Sequence, residues 1–181
     1  MSEQTVLSEG KVNVEGFFDP VTSTVTYLVS DPATGTGAII DPVLDYEARS
    51  GRTSTSSADK LIAHVKEKDL KIKWILETHV HADHLTASPY VQKELGGQTV
   101  IGRCVTIVQQ AFGDAFNAGG TFKRDGSQWD RLVGEGDELN LGDQVVKVME
   151  TPGHTPACVS YVFADAVFVG DTVFMPDYGT A

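Results

Sequence analysis

The chain has 181 residues, 41% of them hydrophobic and 22% charged, with a formal net charge of −11. This length and composition fit one soluble globular domain with a substantial core, and no apolar run approaches the ~20 residues a membrane helix needs. An acidic chain without a basic cluster lacks the electrostatic footprint of a nucleic-acid binder, and an anionic ligand would need a local cation or a metal to hold it.

The first ten residues, MSEQTVLSEG, have neither a basic n-region nor an apolar h-region, so no secretory signal is expected and the cytoplasm is the default compartment. TVTYLVS, Thr24 to Ser30, alternates and is rich in β-formers, which predicts a strand. DPATGTG reads as a turn, and AIIDP as a buried strand stopping at Pro42, so the pair forms a hairpin. The polar run RSGRTSTSS leads into a helix start. In ADKLIAHVKEKD the helical period places Leu61, Ile62 and Val65 on one face. His64 falls on the flank of that face, as a partly exposed helix histidine.

Ile72 to Leu76 is a strand running straight into THVHADHL. Ala87 to Leu95 reads as a helix stopped by Gly96 and Gly97. QTVIG is a short strand, VTIVQQAFGDAF a helix despite Gly113, and NAGGTFKRDGSQWD a loop. QVVKVME, ACVSYVF and AVFVG are strands, with a tight turn at Ala164–Asp165 between the last two. Strands and helices mixed in this order predict α/β or α+β layers. Two cysteines make no disulfide framework. Cys104 is expected to be a small buried side chain, and Cys158 lies four residues after His154.

The polar motifs share one habit, which is that each follows a strand, so three strand ends can meet at one sheet edge. Three of the five histidines fall within six positions, as His79, His81 and His84, with Asp83 among them. That crowding makes a polar loop with chance histidines a poor account. Residues i and i+2 of extended chain point the same way, so His79 and His81 are expected to reach one metal, while Asp83 and His84 face a neighbouring point. Imidazole and carboxylate are both transition-metal ligands. His154 sits in TPGHTP, where two prolines restrict the backbone and Gly153 permits a bend. Alone, it would read as a turn histidine. Asp171 follows the apolar AVFVG, and an acid there is costly unless paired, hydrogen-bonded or on a metal.

THVHADH, PGHTP and VGDT, in this order and spacing, resemble the metallo-β-lactamase fold, an αββα sandwich with metals at one edge. The fold hosts several reaction classes. TYLVSDPATGTGAIIDPVLD, LETHVHADHLTAS, TPGHTPACVSYVF and GDTVFMPDYGTA are similar to the persulfide (sulfur) dioxygenases, the bacterial members above all. That resemblance implies one Fe(II) per chain, held by His79, His154 and Asp171. It implies oxidation of glutathione persulfide by O2 to sulfite and glutathione, a sulfide-detoxifying activity. His81, Asp83 and His84 would then stand around the iron without ligating it. The alternative is a glyoxalase II-type thioester hydrolase with zinc, where His79, His81 and His154 form one site. Asp83, His84 and a later histidine form the other, bridged by Asp171. A β-lactamase ranks third, since no signal peptide is seen.

In the family the chain continues past the equivalent of Ala181, with residues that contact glutathione. Residues 1–181 are therefore expected to form one metallo-β-lactamase-like domain lacking its C-terminal part. An inactive metal-binding fragment is a further alternative. The expected partners are glutathione persulfide and O2, with no nucleic acid and no membrane, and a homodimer is compatible with the sequence.

Overall fold

The structure, a computed structural model, describes residues 3–175 and 177–180. In chain order the first elements are β1 (Glu3–Glu9), β2 (Asn13–Asp19), β3 (Thr24–Ser30), β4 (Thr36–Ile40), β5 (Val43–Glu47), β6 (Arg52–Ser54), α1 (Ser56–Glu67) and β7 (Lys71–Leu76). There follow β8 (Leu85–Thr86), α2 (Ser88–Leu95), β9 (Gln98–Gly102), α3 (Val105–Ala115), β10 (Arg131–Val133), β11 (Glu138–Leu141), β12 (Gln144–Glu150), β13 (Val159–Val162) and β14 (Val167–Phe168), then a 3₁₀ turn at Gly170–Thr172.

A seven-stranded sheet runs β1-β2-β3-β4-β7-β9-β10, and a four-stranded sheet runs β11-β12-β13-β14. The first is antiparallel from β1 to β4 and parallel from β4 onward. The two-residue period of a strand divides the large sheet's side chains between two cores. Val29, Ala38, Ile40, Trp74 and Leu76 face the second sheet, where they meet Leu139, Val146, Val148, Tyr161 and Phe168. Their neighbours Leu28, Ile39 and Ile75 face the other way, onto Leu61 and Val65 of α1 and Val91 of α2. Trp74 Nε1 donates to the Asn140 carbonyl at 2.8 Å, tying β7 to β11 across the sandwich. Helix, sheet and sheet are thus three layers. The outward residues Val145 and Met149 of the second sheet are exposed, and no helix covers them among the described residues.

The expected strands and helices are present, with ends moved by a residue or two. Helix α2 stops where Gly96 and Gly97 adopt positive φ, as the sequence predicts. Seven strands were not expected: β1, β2, β5, β6, β8, β10 and β11. Most are short or polar, so alternation gives no signal. β6 lies inside the predicted loop RSGRTSTSS, paired with β5 as a surface ribbon. Cys104 departs from the expected buried position. It is half-buried at the start of α3, because only one side packs on the Ile101–Val105 cluster. Cys158 is buried.

His64 is partly exposed as expected, yet it has a partner. Its Nε2 lies 2.9 Å from Glu15, a β2 carboxylate that is 3% exposed, and Lys68 reaches the same group at 3.0 Å. Burial alone would raise the Glu15 carboxyl, but Lys68 and His64 hold it below its ordinary value of 4.5. A depressed carboxyl contributes stability that is present above the unfolded pKa and lost as pH falls through the folded one. Glu15→Gln is expected to cost about 1–3 kcal/mol at pH 7. In denaturant titrations the deficit should shrink steadily below pH 4.5. A deficit unchanged down to pH 3 would refute the ion-pair account.

Candidate metal centre

Four strand ends meet at one edge of the sandwich. β4 and β7 are parallel neighbours, so both point their C-terminal ends the same way. β12 and β14 are each antiparallel to β13, so they also share a direction. The ends carry Asp41, the segment Glu77–His84, the loop around His154, and Asp171. In open α/β sheets, ligands bind at the carboxyl ends of strands.

The ligand-capable atoms of His79, His154 and Asp171 lie within 4.8 Å of one another. His79 Nε2 is 3.7 Å and His154 Nε2 3.5 Å from Asp171 Oδ2. His79 is 1% exposed, and its Nε2 has no hydrogen-bond partner among the described residues. An orphaned buried nitrogen needs an explanation, and a metal ion would supply one. Burial, helped by the charge of His81, pushes the His79 pKa down to about 4. Its imidazole is therefore neutral at pH 7, as ligation requires. Burial raises the Asp171 carboxyl above its ordinary value.

The His154 loop is braced by its own chain. Cys158 Sγ accepts from the Thr155 backbone N–H at 3.3 Å, and the Thr151 N–H donates to the Cys158 carbonyl at 3.0 Å. Cys158 therefore sits near His154 in the fold as well as in the sequence, as a support to the loop.

His81 is placed differently from the i, i+2 expectation. Its Nε2 lies 3.1 Å from both Asp41 Oδ1 and Glu77 Oε2, and it does not join the group of His79, His154 and Asp171 although its ring centroid is 4.1 Å from that of His79. Burial opposes an imidazolium, but the charge of Asp41 and hydrogen bonds to both acids outweigh it and push its pKa up to about 11. Two buried acids beside one imidazole explain the placement.

His81 also groups with Asp83 and His84 within 4.8 Å, and its ring stacks on that of His84 at 4.1 Å between centroids. Asp83 Oδ2 accepts from the Thr24 hydroxyl at 2.7 Å. His84 is buried, and its Nε2 lacks a partner among the described residues.

Asp41 and Glu77 were not singled out from the sequence. Both are acids at a strand end, the same signal that drew attention to Asp171. Glu77 accepts from the Thr86 and Ser88 hydroxyls, and Asp41 from Thr78. Beside the centre opens a groove of about 910 Å³, lined by Tyr27, Asp41, His81, Asp83, Phe168 and Asp171 among others. No Lys or Arg lines it among the described residues.

The metallo-beta-lactamase superfamily model matches residues 19–180, and the chain belongs to that superfamily. Among curated relatives, a probable metallo-hydrolase of Burkholderia pseudomallei is 55% identical over 180 residues, covering 94% of this chain and 61% of that protein. Glyoxylase B2 of Dictyostelium discoideum is 47% identical over 173 residues, 94% of this chain and 59% of its own length. The mouse mitochondrial persulfide dioxygenase ETHE1 is 30% identical over 181 residues, 99% of this chain and 59% of its own. The crystal structure of ETHE1 from Myxococcus xanthus superimposes with a TM-score of 0.69 at 31% identity, over 90% of this chain and 58% of that one. The chain thus spans about three-fifths of the length of these relatives.

Among the described residues, no helix is long and apolar enough to cross a membrane.

Proposed function

We propose that this chain carries the metal centre of an Fe(II)-dependent persulfide dioxygenase, with one iron held by His79, His154 and Asp171. The observation that carries the reading is the position of His81. The ligand atoms of His79, His154 and Asp171 lie within 4.8 Å of one another, whereas His81 groups with Asp41 and Glu77 and with Asp83 and His84, which gives a set of two histidines and one carboxylate. Such a set keeps adjacent positions open on Fe(II), the arrangement of non-haem oxygenases. Similarity to ETHE1 proteins supports the same reading.

When bound, Fe(II) would supply a redox-active centre through which the persulfide sulfur, the net reductant, gives its electrons to O2. The chain's own residues do the rest. His79 offers a neutral nitrogen, His154 a second imidazole and Asp171 a carboxylate oxygen, while Tyr27 and Phe168 line the adjoining groove with their rings. In the overall reaction, one O2 and one water provide the three oxygens of sulfite, and glutathione leaves as the thiol.

A second reading has its own observation. The grouping of His81, Asp83 and His84, with an unsatisfied His84 Nε2, fits the second site of a dinuclear thioester hydrolase of glyoxalase II type. The names of the more similar relatives, glyoxylase B2 and metallo-hydrolase, lean the same way.

Metal analysis of the full-length protein, joined to oxygen uptake on glutathione persulfide, decides between them. One iron with uptake supports the dioxygenase. A zinc-only protein without uptake overturns it, and two metals with lactoylglutathione hydrolysis install the hydrolase. Asp83→Ala is expected to leave the single iron bound, with at most about a 10–100-fold loss of affinity through disturbed neighbours of the ligands. An emptied site in that variant, read by metal analysis, would contradict the mononuclear set.

A further inference from the structure

Thr78 stands between a carboxylate and a candidate ligand, with one hydroxyl proton to give. Its backbone N–H donates to Asp41 Oδ1 and its hydroxyl to Asp41 Oδ2, both at 2.8 Å. The same hydroxyl oxygen lies 3.0 Å from His79 Nδ1. An ionised carboxylate only accepts, so the hydroxyl proton is committed to Asp41. Toward His79 the hydroxyl can then only accept, and Nδ1 must carry the hydrogen. A neutral imidazole has one N–H, so Nε2 keeps its lone pair, on the side where Asp171 Oδ2 lies 3.7 Å away.

We infer that Asp41 and Thr78 form a positioning relay, which fixes His79 as the Nδ1–H tautomer and aims its Nε2 lone pair at the metal position. The inference rests on the reading of His79 as a ligand. Neither relay member touches that position itself. Thr78 has little freedom to leave the relay. It is 1% exposed, its carbonyl accepts from the Val159 N–H at 2.9 Å, and its N–H is held by Asp41. Gly170 closes over it from the Asp171 side at φ +51°, and a Cβ there would collide with the Thr78 hydroxyl. The absence of a side chain at 170 is thus what lets the Asp171 turn approach Thr78 and His79.

Asp41 itself tolerates positive φ (50°) at the end of β4, as Asp does better than most residues. That turn points its carboxylate back across the β7 end. A ligand histidine commonly gives its second N–H to an acceptor that sets the tautomer, and loss of that acceptor typically weakens metal binding. Here the acceptor is a hydroxyl that is itself oriented by a carboxylate.

The test uses the full-length chain with 15N-labelled histidine, Thr78→Val and Thr78→Ser. Valine keeps the shape and loses the hydroxyl, whereas serine keeps the hydroxyl. Long-range 1H–15N correlations on metal-free protein at pH 7.5 should show His79 with Nδ1–H in the wild type and in Thr78→Ser. Thr78→Val should lose that tautomer. Its affinity for Zn2+ alone, in competition with a chelator, should fall about 10–100-fold, while the serine variant stays close to wild type. A wild-type His79 carrying Nε2–H, or a valine variant unchanged in tautomer and affinity, would overturn the relay. A wild type with Nδ1–H that binds no metal would support the relay and overturn the metal reading beneath it.

Discussion

His154→Ala should yield a folded protein without stoichiometric iron and without oxygen uptake on persulfide. His154 is one of three groups whose ligand atoms lie within 4.8 Å of each other, and no other histidine stands ready to replace it. His81 is engaged by Asp41 and Glu77, and His84 groups with Asp83 instead. Losing a ligand should exceed the roughly 10–100-fold cost of losing a group that only supports one, so affinity is expected to fall by more than about 100-fold. Stability of the metal-free protein should change little, because His154 is partly exposed on a surface loop. The comparison is metal content after purification, with circular dichroism as the control for folding. Stoichiometric iron in a folded His154→Ala would mean that the ion sits elsewhere, with His81, Asp83 and His84 the next place to look.

Asp41→Ala is expected to have the largest effect on stability. Asp41 is 6% exposed and accepts from the Thr78 N–H, the Thr78 hydroxyl and His81 Nε2. Burial disfavours its charge, but His81 and Thr78 hold the carboxyl below its ordinary value. Removing one side of a buried charged pair costs about 3–5 kcal/mol, since the other charge is left behind. Alanine would also sit less easily at φ +50°. For a chain of this size a loss in that range lowers the melting temperature by roughly 10 °C. The measurement belongs on chelator-treated protein, so that metal binding does not mask the change. Asp41→Asn is the informative companion. It tolerates the same backbone and can still accept from Thr78, but it loses the charge facing His81, so it should fall between wild type and alanine. A melting curve for Asp41→Ala that overlays wild type would show that Glu77 alone satisfies His81.

Both predictions concern one edge of the sandwich, and they separate two kinds of residue there. His79, His154 and Asp171 bring ligand-capable atoms within 4.8 Å of one another. Asp41, Glu77, Thr78 and His81 present hydrogen bonds to one another beside that group. The groove of about 910 Å³ opens on both groups. Asp171 and His81 both line it.

Some of this was legible along the chain. Leu61, Ile62 and Val65 announce α1 because a helix repeats its faces every three or four residues, and all three are buried. β3 and β7 announce themselves by β-rich, apolar segments. The H-x-H-x-D-H run, TPGHTP and VGD stand out because metal ligands are rare residue types placed at strand ends, and each is a local word. Short strands such as β6 and β8 carry no such word, since two or three residues have no measurable period.

The sequence by itself determined the superfamily, the helices, the longer central strands, and His79, His81, Asp83, His84, His154 and Asp171 as the residues to gather at one edge. Only the tertiary structure decided how that group divides. His79 and His81 share a spacing that predicts a common target, yet Asp41, 40 positions before His81, engages the His81 Nε2. The strands that carry His79, His154 and Asp171 belong to two different sheets, so their convergence depends on how those sheets stack. Hydrogen-bond partners are set by distance in space, and Thr78 becomes a relay only when β4 delivers a carboxylate beside it.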